Sequence, residues 1–192
     1  MPDPNPAALD FLLTRRSRPA KTLTAPAPDR AALMPLLEAA VRTPDHGKLE
    51  PWRLLVLERG ALDRLADTAL DRAAALSLDP EQADKGRKQF ADSPLCVAVI
   101  EVQRASPKIP EIEQTYSAGA VCLALLNAAL ASGWGANWLS GWVAHDRGFV
   151  EEALGLAPNE RVAGFIHIGT ETSAPPERPR PNLDTVTTWV AA

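Results

Sequence analysis

Three short stretches hold the residues with chemical reach. The first is Arg15-Arg16-Ser17, directly after a short helical pattern. Two guanidiniums and a hydroxyl can grip a phosphate through charge-assisted hydrogen bonds. Two arginines at the C-terminal end of a helix also complement its dipole, and spacing alone leaves both readings open. The second is Arg42-Thr43-Pro44-Asp45-His46-Gly47. Pro44 forbids continuation of the preceding helix, while Thr43, Asp45 and Gly47 are turn chemistry, so Arg42 and His46 stand on a loop. The third is Trp138-Leu139-Ser140, in a glycine- and tryptophan-rich run. The acidic pairs Glu111/Glu113 and Glu151/Glu152 read as helix-start and solvent-facing charges. His145 and His167 read as structural. No Gly-x-Gly-x-x-Gly follows a strand, and no Gly-x-Ser-x-Gly, Walker A or zinc spacing occurs.

The elements that must position these stretches are organised around one helix, predicted from Pro110 to Ser132. Glu111 and Glu113 place carboxylates in its first turn, and Gly133 can take the left-handed cap conformation. Between Ala118 and Ala131 its only amide is Asn127, which can hydrogen-bond a neighbouring helix. A helix apolar on every side is expected to be buried on every side. Its apolar run is too short for a membrane span, so it reads as the pillar of a core that a second subunit helps to cover. Before it, the patterns predict an amphipathic helix over 6–14 with Leu9, Leu12 and Leu13 on one face. A proline-broken linker follows over 21–28, then a helix over 30–41 capped by Asp29. A strand over 53–57, apolar enough to be covered on both faces, leads to helices over 60–76 and 80–91 and a strand over 95–102. After the pillar come a strand over 137–142, a helix from its Asp146 cap to Leu154, and a strand over 161–169. The proline-rich tail from Thr170 onward is expected to lack regular structure and to lie along another surface through Val186 and Trp189. Helices first, then strands interleaved with helices, predict an α+β fold with a small mixed sheet flanked by helices.

Composition narrows the classes. A chain of 192 residues reads as one domain, 1–192. The formal net charge of −4 disfavours nucleic acid as a main partner. Cys96 and Cys122 sit in apolar runs with neither disulfide nor metal spacing, which fits a reducing cytoplasm. The N-terminus lacks the pattern of a signal peptide.

Taken together, Arg-Arg-Ser, then Arg-x-Pro-Asp-His-x-x-x-x-Pro-Trp-Arg, the pillar helix, Gly-x-x-Trp-x-Ser-Gly and Gly-Phe-Ile-x-Ile-Gly resemble the nitroreductase family. The resemblance covers about residues 7 to 190. It implies a homodimer with an extended C-terminal arm and FMN at the subunit interface. By that resemblance Arg15, Arg16 and Ser17 hold the FMN phosphate and ribityl chain. Pro44, Asp45 and His46, with Arg42 close by, lie along the isoalloxazine ring from the other subunit, and Trp138, Leu139 and Ser140 pass the ring as well. The nicotinamide nucleotide is placed by the resemblance at Ala128, Ala129, Leu130, Ala131, Ser132 and Gly133. A further basic residue after the Arg-Arg-Ser segment has two candidates, Arg18 and Lys21; a late one near the phosphate has Arg178 and Arg180. The implied activity is transfer of hydride from NADH or NADPH through FMN to a small electron-poor acceptor such as a nitroaromatic or a quinone, in a ping-pong cycle. No side chain is assigned as a catalytic nucleophile, acid or base, and no metal is expected. The chemistry fits: a dianionic phosphate calls for arginines, and a flavin ring whose reduced form is anionic calls for a positive group, for which Arg42 or His46 can serve. Two rivals remain at this level, an FMN-storing or redox-sensing dimer and a helical dimer whose arginines are interface charges.

Overall fold

A computed structural model describes residues 3–191. In chain order the elements are α1 (Pro6–Thr14), β1 (Leu23–Thr24), α2 (Arg30–Ala40), β2 (Trp52–Leu57), α3 (Arg59–Ala75), α4 (Pro80–Ala91), β3 (Leu95–Val102), α5 (Glu111–Ala131), β4 (Gly135–Leu139), α6 (Trp142–His145), α7 (Arg147–Leu154), β5 (Glu160–Glu171) and α8 (Leu183–Val186). The helix starts follow their caps. Asp29, Asp79 and Asp146 accept from Ala32, Gln82 and Phe149 amides at 2.9, 2.9 and 2.7 Å. Gly155, at φ +65°, ends α7.

The long strand β5 is the spine of the sheet. Along one edge it pairs with β3, and beyond β3 lies β2; along the other it pairs with β4; at its far end it meets β1. The sheet expected to be mixed is antiparallel in all four pairings. The reason is topological: β3 and β4 run the same way, but β5 lies between them, so no parallel neighbours meet. One face of the sheet packs on α3, α4 and α7 through Phe90, Phe149 and Phe165. The other packs on α2 and α5 through Val97, Val99, Ile166 and Ile168. Cys96 and Cys122 are buried free thiols. Burial pushes the Cys122 thiol up to about 12.

Several expectations needed correction. Strand β2 is an edge strand: Leu57 is buried, but its other residues are only partly covered and Val56 is exposed. The strand after the pillar spans Gly135–Leu139 rather than 137–142: Gly141, at φ +75°, turns the chain into α6. The tail contains one regular turn, α8, capped by Asn182 onto the Asp184 amide. The leucine stripe of α1 is exposed in this chain, and α1 buries none of its residues. Helix α5 is buried on one face only; Ile112, Tyr116 and Leu123 on the other are 51%, 67% and 45% exposed. By length and composition alone α5 would pass as a membrane span. Its contacts with α2, β3, β4 and β5 are those of a core helix. Asn127 makes no hydrogen bond to a neighbouring helix among the described residues.

Candidate functional site

The segment 15–21 runs along the outer edge of β4. The Arg18 amide donates to Ala136 O at 2.8 Å, the Asn137 side-chain amide donates to Arg18 O at 2.6 Å, and the Arg18 guanidinium pairs with Glu171. This anchoring fixes what lies at either end of the segment. At its start is a cavity of about 440 Å³ lined by Arg15, Arg16, Ser17, Asn137, Arg178 and Arg180, among others. The structure thus brings the Arg-Arg-Ser stretch together with both late arginines of the tail. Arg15 Nη2 donates to Ser17 Oγ at 2.9 Å. The buried Nε groups of Arg15 and Arg16 have no partner among the described residues. Glu177, an exposed residue, pairs with Arg180 at 2.8 Å, but among the described residues no carboxylate lines the cavity itself. Burial and the like charges of Arg180, Arg16 and Arg18 hold the Arg15 guanidinium below its ordinary value. Four guanidiniums, unsatisfied N–H groups and no lining acid make a cradle that a multiply charged anion would satisfy.

At the other end of the segment is a second cavity, about 370 Å³, where Leu139 and Ser140 meet Lys21, Lys85, Lys88, Gln89 and one carboxylate, Asp92. Lys85 and Lys88 pair with Glu81 and Asp84 at 2.7 and 2.6 Å along the exposed face of α4. Such pairs are worth little in water and re-form easily. The Gln89 amide nitrogen is buried without a partner. Trp138 points to the opposite sheet face, as strand alternation requires. There its indole lies over Gly164, where an added Cβ would overlap the ring. Lys85, Lys88 and Gln89 carried no signal in the sequence beyond belonging to a charged, peripheral-looking helix.

The Pro44-Asp45-His46 loop is elsewhere. Asp45 accepts from the Leu49 and Glu50 amides at 3.2 and 2.8 Å, holding a tight turn in which Lys48 and Glu50 take positive φ. His46 Nδ1 meets Glu113 Oε2 at 2.6 Å, which gives that helix-start acid a partner. Ser117 Oγ donates to Pro44 O at 2.8 Å and accepts from Trp52 Nε1 at 3.2 Å. The loop is therefore clamped to the first half of α5, with Arg42 exposed beside it. The arginines neighbour the other end of α5: Arg15, Arg16 and Arg18 share a cavity of about 280 Å³ with Leu130 and Gly133. At about 1.5 Å per residue, Ser117 and Leu130 are roughly 20 Å apart along the axis, so one chain does not bring the two stretches together. Of the segment 128–133, Ala129 is fully buried, Ala128 and Leu130 are partly covered, and Ala131, Ser132 and Gly133 are exposed.

Comparison with known proteins matches residues 12–170 to the model of the nitroreductase family. The chain is 34% identical over 163 residues, 85% of its length, to a protein of Escherichia coli (strain K12) named "Putative NAD(P)H nitroreductase YdjA", covering 87% of it. Among solved structures, a nitroreductase-like family protein from Bacillus cereus superposes with a TM-score of 0.78 at 25% identity, covering 99% of this chain and 98% of that one. A nitroreductase-type protein from Desulfovibrio desulfuricans, solved in complex with FMN, gives a TM-score of 0.75 at 22% identity and covers 99% of this chain and 100% of that one.

Proposed function

Because the chain belongs to the nitroreductase family, we propose that it is an FMN-dependent NAD(P)H oxidoreductase working as a homodimer. The observation that supports this most is the arginine-lined cavity: among the described residues, Arg15, Arg16, Arg178 and Arg180 converge without a lining carboxylate, and two buried guanidinium N–H groups have no partner. That donor set suits the dianionic phosphate of FMN, with Ser17 and Asn137 adding neutral donors. The segment 15–21 then leads to the second cavity, where Leu139 and Ser140 offer a wall for the ring. Lys21, Lys85 and Lys88 there supply the positive field that favours added negative charge on a flavin, a role for which Arg42 or His46 was the sequence candidate. FMN held there would supply hydride transfer between a nicotinamide and an electron-poor acceptor, in alternating half-reactions.

The chain's own residues bind, orient and exclude water. The arginines anchor, β4 sets the plane of the wall, and the Pro44–His46 loop of a second copy closes the site from the other side. That closure accounts for the loop sitting at the far end of α5. The exposed end of α5, through Leu130 and Gly133, opens to the same arginines and receives the nicotinamide nucleotide.

The visible spectrum of the freshly purified protein, with the chromophore identified after denaturation, tests the reading. A flavin band releasing FMN at about one per subunit, with NADH or NADPH turnover on a quinone or nitroaromatic, is expected. FMN without turnover would leave a storage or redox-sensing dimer. A colourless protein that does not take up added FMN would overturn the proposal.

A further inference from the structure

The exposed face of α5 carries an unusual pair. Exposed Ile112, Tyr116 and Leu123 recur at helical spacing with half-buried Gly119 and Asn127 on the side away from the core. A Cβ at Gly119 would meet nothing within 4 Å, so this face is open to close approach by another backbone. Two polar groups interrupt the apolar stripe. Tyr116 is 67% exposed, and its hydroxyl makes no hydrogen bond among the described residues. Asn127 makes none either; its Oδ1 is shielded from solvent, which leaves its Nδ2 as the group that can donate outward. The two are 11 residues apart, three turns of helix, and so lie on one line.

We propose that Tyr116 of each subunit hydrogen-bonds Asn127 of the partner subunit, and that this reciprocal contact sets the register of an antiparallel α5–α5 pairing. It rests on the homodimer reading above. A two-fold axis through the middle of the stripe pairs residue i with j and j with i, so one contact is made twice. The axis that places Tyr116 opposite Asn127 also places Glu113 opposite Leu130. Glu113 holds His46, at 2.6 Å, and Leu130 lines a cavity with Arg15 and Arg16. The register that satisfies the two orphan groups is therefore the one that delivers the partner's Pro44–His46 loop to the arginine end of the site. In an apolar seam most registers bury similar surface, and a single amide whose partner exists in only one of them selects it, as a buried Asn does in coiled coils.

Cross-linking tests the register. Tyr116→Cys and Asn127→Cys chains carrying different affinity tags are co-expressed, isolated as the mixed dimer and treated with a short bismaleimide. Cys96 and Cys122 are buried thiols whose ionisation is pushed up, so the wild-type dimer supplies a low background. The mixed dimer is expected to run as a covalent dimer on a denaturing gel. Dimers of either single variant are expected not to, because like residues would lie roughly 16 Å apart along the axis. A wild-type dimer whose mixed variant fails to cross-link, or whose single variants cross-link equally well, would overturn this register and leave the FMN reading intact. A monomeric wild type on sedimentation would remove the homodimer reading as well. As a second readout, Tyr116→Phe and Asn127→Ala should each speed subunit exchange several-fold, with the double variant no faster than the faster single one. Additive effects would count against the contact.

Discussion

Arg15→Ala combined with Ser17→Ala should separate recognition of the FMN phosphate from recognition of its ring. Arg15 sits in the cavity with Arg16, Arg178 and Arg180, and its Nη2 donates to Ser17 Oγ at 2.9 Å. A charge-assisted hydrogen bond contributes about 1.5–3 kcal/mol and a neutral one about 1 kcal/mol. Three guanidiniums remain after the change, and burial among like charges already disfavours the charge on Arg15. The loss therefore belongs at the lower end, about 2 kcal/mol for Arg15 and about 3 kcal/mol for the pair. That corresponds to roughly 30-fold and 150-fold weaker FMN binding at about 1.4 kcal/mol per decade. Titration of the flavin-free protein by fluorescence quenching measures it, with riboflavin, the same ring without phosphate, as the second ligand. FMN affinity should fall toward that of riboflavin, while riboflavin affinity stays unchanged. A variant that keeps its preference for FMN over riboflavin, or that loses both ligands in parallel, refutes the phosphate assignment.

Gly164→Ala would drive a methyl group into the Trp138 indole and should cost about 1–3 kcal/mol in urea denaturation, with a shift in tryptophan emission; an unchanged spectrum would mean that the indole lies elsewhere. Asp45→Ala leaves the Leu49 and Glu50 amides without their acceptor, and should lower stability by about 1–2 kcal/mol and Tm by a few degrees, read by calorimetry. Ser93 Oγ donates to Leu95 O, so His167 Nδ1 donates to Ser93 Oγ, and burial pushes His167 down to about 4 from its ordinary 6.5. The unfolded chain then binds the proton more readily. Stability should be full above pH 6.5 and decline as pH falls toward 4, by up to about 3 kcal/mol. Urea midpoints that stay flat between pH 6.5 and 5 would contradict a neutral, buried His167. Glu101, held below the usual carboxylate range by Arg161, Thr115 and Gln103 against the opposing effect of burial, acts in a lower window: its contribution persists above about pH 4.5 and fades as pH falls through its folded value.

Local rules reached far into this chain. Cap residues placed α2 and α7, because an Asp side chain answers amides only two or three positions away. A continuous apolar run identified β3 as a central strand, and all eight of its residues are buried. The cavity's lining was partly legible: arginines beside a hydroxyl offered an anion site as one of two readings, and the resemblance had already named Arg178 and Arg180, which line the same cavity. What the sequence could not rank was anything set by neighbours distant along the chain. The apolar run of β2 looks like a central strand, yet β2 stands at an edge because strand order is decided by which faces the helices cover. The α4 lysines and Gln89 line a cavity with Leu139 and Ser140 only because α4 folds back against the end of β4. The Pro44–His46 loop shows the limit most clearly. Its turn, its Asp45 clamp and its conformation follow from adjacent residues, but its distance from the arginines is set by the length of α5. Hydrogen bonds and caps act within a few residues and are written in local sequence; the meeting of surfaces depends on tertiary packing.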